Sequence, residues 1–70
     1  MRKYTIEFKP SATDTDIANV TTAVRTVQHR QWKADNGHRF VIVSVNSASD
    51  EAALVDVCLR DHNVLDFVGH

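Results

Sequence analysis

The segment from Arg25 to Val45 constrains the fold more than any other part of this seventy-residue chain. Thr26-Val27-Gln28-His29-Arg30-Gln31-Trp32-Lys33 leads through Ala34-Asp35-Asn36-Gly37 into the apolar run Phe40-Val41-Ile42-Val43-Ser44-Val45. Asp-Asn-Gly between two extended runs is a strong hairpin signal, because Asn and Gly accept the positive φ that a tight reversal needs. Thr26, Val27 and Trp32 also favour strands. The competing reading continues a preceding helix to Lys33, with Val27 and Ala34 on its apolar side and Asn36-Gly37 as a left-handed cap. The hairpin is preferred, and its loop sets the register. A two-residue Asn36-Gly37 turn would pair Trp32 with Val41; a three-residue loop with a bulge would pair Trp32 with Phe40 and Val27 with Val45. The second matches valine to valine and is the expected one. In both, Phe40 and Ile42 point opposite to Val41, Val43 and Val45, so the second sheet face is partly apolar.

The flanking segments complete the pattern. Lys3 to Lys9 alternates, with Tyr4, Ile6 and Phe8 on one face and Thr5 and Glu7 on the other, which predicts a half-buried strand ended by Pro10. Two overlapping capping boxes, Ser11 to Asp14 and Thr13 to Asp16, predict a helix starting near Asp14. Its apolar stripe is Ile17, Val20 and Val24, with Ala18 and Ala23 nearby. Ser47 or Ser49 caps a second helix with Asp50 and Glu51 in its first turn. Ala53, Leu54, Val57, Cys58 and Asp61 lie along one side of it, flanked by Val55 and Leu59. A last strand runs from Val64 to Val68. The order is βαββαβ, an α+β, ferredoxin-like two-layer sandwich with both helices on one face of an antiparallel sheet. The long-helix reading gives βαβαβ with a three-stranded sheet instead.

Residues 1–70 make a single domain, and a chain this short buries only about 60% of the surface its unfolded form exposes. A net charge of −1 supplies no overall field for nucleic acid or an anionic membrane. The charge is unevenly placed. Arg25, Arg30, Lys33 and Arg39 face one acid, Asp35, in the hairpin, whereas Asp50, Glu51, Asp56, Asp61 and Asp66 face only Arg60. The lone Cys58 rules out an internal disulfide and is expected to pack as a small hydrophobe. Met1-Arg2-Lys3 runs directly into a strand pattern rather than a signal peptide, and no apolar run approaches the roughly 20 residues of a membrane span. A cytoplasmic location without membrane contact is expected, which would leave the sequon Asn19-Val20-Thr21 without meaning.

No residue cluster imposes a chemistry. His29, His38, His62 and His70 show no i,i+4 spacing and no second Cys completes a soft site, so they read as isolated surface histidines and no metal is expected. Cys58, on an apolar helix face, is expected to stay protonated and inert. There is no phosphate-binding glycine loop and no nucleophile motif, hence no cofactor and no enzymatic activity is expected. Aromatic residues beside positive charge on an open sheet face are the pattern of single-strand nucleic-acid binders, and Arg30, Trp32, Lys33, Arg39 and Phe40 supply it. The third strand lacks the glycine-aromatic alternation of RNA-recognition motifs, which disfavours nucleic acid as partner.

The chain also resembles the inhibitor I9 family, the subtilisin-propeptide-like domains and their free-standing inhibitor relatives. Lys3-Tyr4-Thr5-Ile6-Glu7-Phe8-Lys9 is similar to that family's first strand and Thr26 to Lys33 to its second. Asp61-His62-Asn63-Val64-Leu65-Asp66-Phe67-Val68 is similar to its second-helix end and last strand. The resemblance implies a ferredoxin-like fold, a docking face containing Trp32, Phe40 and Ile42, and a substrate-like tail of Phe67, Val68, Gly69 and His70. The leading expectation is thus a small non-enzymatic protein-binding domain, a protease inhibitor or folding assistant that acts through its open sheet face and C-terminal strand. Single-stranded nucleic-acid binding and a homodimer contact through the same face are the alternatives.

Overall fold

The structure, a computed structural model, describes residues 2–70 as β1 (Arg2–Phe8), α1 (Asp14–Ala23), β2 (Val27–Lys33), β3 (Arg39–Val45), α2 (Ala48–Arg60) and β4 (Val64–Gly69). The order is the hairpin one, and the three-stranded alternative does not occur. The strands form one antiparallel sheet in the order β2-β3-β1-β4. Tyr4, Ile6 and Phe8 of β1 and Val41, Val43 and Val45 of β3 are buried together with Ile17, Val20 and Val24 from α1 and Leu54 and Cys58 from α2. Because these strand residues alternate along β1 and β3, both helices lie on the same sheet face. This is the ferredoxin-like two-layer sandwich. No helix among the described residues is long and apolar enough to cross a membrane.

Each helix starts where its cap predicts. Thr13 and Asp16 form a reciprocal capping box, the Asp16 N–H donating to Thr13 Oγ1 at 3.2 Å and the Thr13 N–H to Asp16 Oδ2 at 2.8 Å. The Thr13 backbone N–H, and after it the Thr13 hydroxyl, hold the Asp16 carboxyl below the usual range. Ser47 caps α2 by accepting from the Asp50 N–H at 3.1 Å. The end of α1 carries no Gly or Pro. Instead Thr26 Oγ1 donates to the Thr21 carbonyl at 2.7 Å, occupying an acceptor the last turn would otherwise leave bare, and Thr22 Oγ1 back-bonds to the Ala18 carbonyl at 2.6 Å. Thr21, not Ala18 or Ala23, completes the buried stripe of α1. On α2, Ala53 and Leu59 face solvent, and Leu54 and Cys58 carry the contact with the sheet.

The hairpin closes with a three-residue loop. The Ala34 N–H donates to the His38 carbonyl at 2.8 Å and the Gly37 N–H to the Ala34 carbonyl at 2.9 Å, with Gly37 at φ +88°. Trp32 pairs with Phe40, the expected register. Farther along, Val27 opposes Ser44 rather than Val45, because a register shift between Gln28 and Arg30 leaves His29 as an extra residue in β2. One extra residue reverses the facing of everything beyond it, so Val27 joins the open face instead of the core.

Candidate functional site

With both helices on one side, the other face of the sheet carries three rungs of side chains. Trp32, Phe40, Glu7 and Asp66 make the first rung, from β2 across to β4. Arg30, Ile42, Thr5 and Val68 make the second. Val27, Ser44 and Lys3 make the third, continued by His70, whose N–H donates to the Lys3 carbonyl at 2.8 Å. Trp32 and Phe40 lie 10° from parallel with ring centroids 5.2 Å apart, and the Arg30 guanidinium carbon sits 4.7 Å from the Trp32 ring centroid. Parallel rings that close cannot lie side by side, so they turn faces toward each other and stand up from the sheet. The guanidinium adds a cation–π contact to the same ring.

The face also gathers three of the four histidines. His38 Nδ1 meets Glu7 Oε2 at 2.5 Å, His29 Nε2 meets Ser44 Oγ at 2.8 Å, and His70 Nε2 bonds Thr5 Oγ1. Sequence spacing gave no sign of this, since strand pairing alone brings these residues to one surface. His62 stands apart in the exposed turn after α2. Among the described residues no group of three or more His, Cys, Asp or Glu side chains is placed to hold a metal ion. Ser44 and His29 have the contact of a nucleophile and its base, but Ser44 is fully buried, which leaves no approach for a substrate carbonyl. Cys58 is buried beneath α2, and loss of hydration pushes its thiol up to about 11.

The expected site residues divide between the two faces. Trp32, Phe40, Ile42, Val68 and His70 share the open face. Phe67 turns to the helix layer, where it packs against the core with its ring centroid 6.3 Å from that of Tyr4. Gly69 lies under the Tyr4 ring, where an added Cβ would come within 3.3 Å of it. Phe67, Val68 and Gly69 are thus held in β4 by pairing to β1, and use of them as a tail inserted in a cleft requires that pairing to open. Val64, like Phe67, packs against the core. The five residues of the nucleic-acid alternative are likewise split. Arg30, Trp32 and Phe40 are together, whereas Lys33 and Arg39 form a rung on the helix side. There Arg39 donates to the Ala12 carbonyl at 3.2 Å and ion-pairs with Asp14, tying β3 to the loop before α1.

At the other end of β1, the Tyr4 hydroxyl donates to Glu51 at 2.7 Å and Arg2 Nε lies 2.8 Å from the same carboxylate. The bond to Glu51, then burial, raises the phenol above its ordinary range. This network fastens β1 to the first turn of α2, leaving the open face as the site candidate. No protein-family model matches the chain, and no curated protein matches it significantly.

Proposed function

We propose that this chain is a small non-enzymatic protein-binding domain, a protease inhibitor or folding assistant of the kind its family resemblance implies, with the open sheet face as contact surface. The observation that carries this reading is the Trp32–Phe40 stack beside Ile42 on a sheet face that no described element covers. Val27 and Val68 extend the face at 49% and 52% exposure, while Lys3, Arg30, Glu7 and Asp66 surround the apolar centre with both signs of charge. Rigid aromatics within a polar border are the composition of protein contact surfaces. The stack speaks against a base-binding platform. Such platforms offer ring faces to the ligand, and here Trp32 is already engaged by the stacked Phe40 ring and by the Arg30 guanidinium.

Photo-crosslinking tests this proposal. A photoreactive residue at position 68 should yield a discrete protein adduct in the native host, and the same residue at position 22, on the helix layer, should not. Phe40→Ser with Ile42→Thr should abolish the position-68 adduct while leaving the circular dichroism of the fold intact. Equal adducts from both positions, or none from position 68, would overturn the open face as the contact surface.

A further inference from the structure

The outer edge of β2 is a second candidate surface, meeting the open face only at Arg30 and Trp32. Six of its seven residues are exposed and the seventh, Trp32, is half-buried. Its helix-side residues, Gln28, Gln31 and Lys33, lie beyond the reach of α1, whose buried stripe packs into the core with β1 and β3. A groove of about 570 Å³ opens between this side of β2 and the loop before α1, lined by Pro10, Ser11, Thr13, Gln31, Lys33 and Arg39 among others. Along the strand's outer side the main chain is unpaired as well. The hydrogen-bonded pair Ala34 and His38 closes the hairpin, and alternation from it turns the backbone groups of Trp32 and Arg30 toward β3. Those of Gln31 and Lys33 therefore face outward.

The charge on this edge selects what it accepts. No acid occurs between Asp16 and Asp35, and neither Arg30 nor Lys33 forms an ion pair among the described residues. Arg30 lies on the open-face side and Lys33 on the groove side, so an added strand meets positive charge whichever way its side chains point. A second copy of β2 would set Arg and Lys against Arg and Lys, the arrangement that keeps edges from pairing with themselves. We propose that the β2 edge receives an extended acidic segment of a partner protein as a fifth strand. Its main chain bonds Gln31 and Lys33, and its carboxylates reach Arg30 on one side and the Lys33 groove on the other. This goes beyond the open-face reading and does not depend on it.

Titration of the full chain with synthetic peptides of repeated Glu-Glu-Val-Val, which place carboxylates on both sides of a strand, decides the matter, with the single tryptophan as reporter. Saturable change in Trp32 emission, with amide shifts centred on Gln31 and Lys33, is expected at low salt and should weaken as salt rises. The Lys-Lys-Val-Val counterpart should not bind. A central Pro in the Glu-Glu-Val-Val peptide, or Lys33→Glu in the chain, should weaken binding at least about tenfold. Val68→Thr, on the opposite edge strand β4 and away from Arg30 and Trp32, should leave peptide affinity unchanged, which separates this surface from the open face. Absence of saturable binding by the Glu-Glu-Val-Val peptide, undiminished binding to the folded Lys33→Glu variant, or loss of binding only in the Val68→Thr variant would each overturn the proposal.

Discussion

Phe8→Ala should lower the melting temperature of this chain more than any surface substitution. Phe8 is fully buried in β1, an inner strand of the sheet, and is the largest side chain among the fully buried ones. Truncating such a phenylalanine removes its transfer free energy and leaves a cavity, at a cost of about 3–5 kcal/mol. Seventy residues at about 0.05–0.15 kcal/mol each give a total stability of about 3.5–10 kcal/mol, so one substitution removes a large share of it. For a domain of this size each kcal/mol shifts the midpoint by about 4–8 °C, and the drop should therefore be roughly 12–40 °C. Leu59→Ala is the matching control, because Leu59 is 72% exposed and should change stability by no more than about 0.5 kcal/mol. Thermal melts followed by far-ultraviolet circular dichroism measure both. Similar melting of the two variants would contradict the packing described for β1.

Gly37→Val should be the costliest change in the hairpin loop. Gly37 sits at φ +88°, where a β-carbon crowds the main chain, at a cost of roughly 1–2 kcal/mol and more for a branched side chain. Its surroundings are not the obstacle. An added Cβ would meet the Pro10 Cβ at 3.4 Å, an ordinary contact. The melting temperature should fall by roughly 4–16 °C on the same scale. Gly37→Asn separates the two causes, since Asn meets the same Pro10 contact but tolerates positive φ better than other non-glycine residues. A smaller loss for Asn than for Val is expected; equal losses would place the cost in the contact with Pro10 instead.

Much of this architecture was legible from residues alone, where one physical signal dominated. The alternation in Lys3 to Lys9, the capping hydroxyls of Thr13 and Ser47, and the Asp35-Asn36-Gly37 reversal each correspond to an observed boundary or turn. The end of α1 was harder because the Thr26 hydroxyl, rather than a glycine cap, satisfies a carbonyl of its last turn. β2 was ambiguous for a related reason. No helix covers either of its faces, so it has no apolar alternation to display. The extra residue at His29 leaves no mark in composition, yet it moves Val27 to the open face and places an imidazole on Ser44.

The candidate site was legible only in its centre. Trp32, Phe40 and Ile42 follow from the loop length, because a three-residue reversal fixes the pairing of Trp32 with Phe40. The histidines escaped, since His29, His38 and His70 come from three distant parts of the chain and meet only through strand pairing. Phe67 and Gly69 join Val68 only through the tail that the family resemblance implies, whereas adjacent strand residues point to opposite faces. The βαββαβ order agrees with the one the family resemblance implied, but that order serves many unrelated partners and does not select among them.

The most direct test of that face is solvent contact at its methyl groups, read by NMR of a methyl-labelled chain with a soluble paramagnetic co-solute. An open face predicts strong broadening of the Val27 and Val68 methyls, intermediate broadening at Ile42, and sharp signals from Val20 and Val43, unchanged from dilute to concentrated samples. Protection of Val68 and Ile42 to the level of Val43 would contradict it, showing the face already covered and unavailable to a partner.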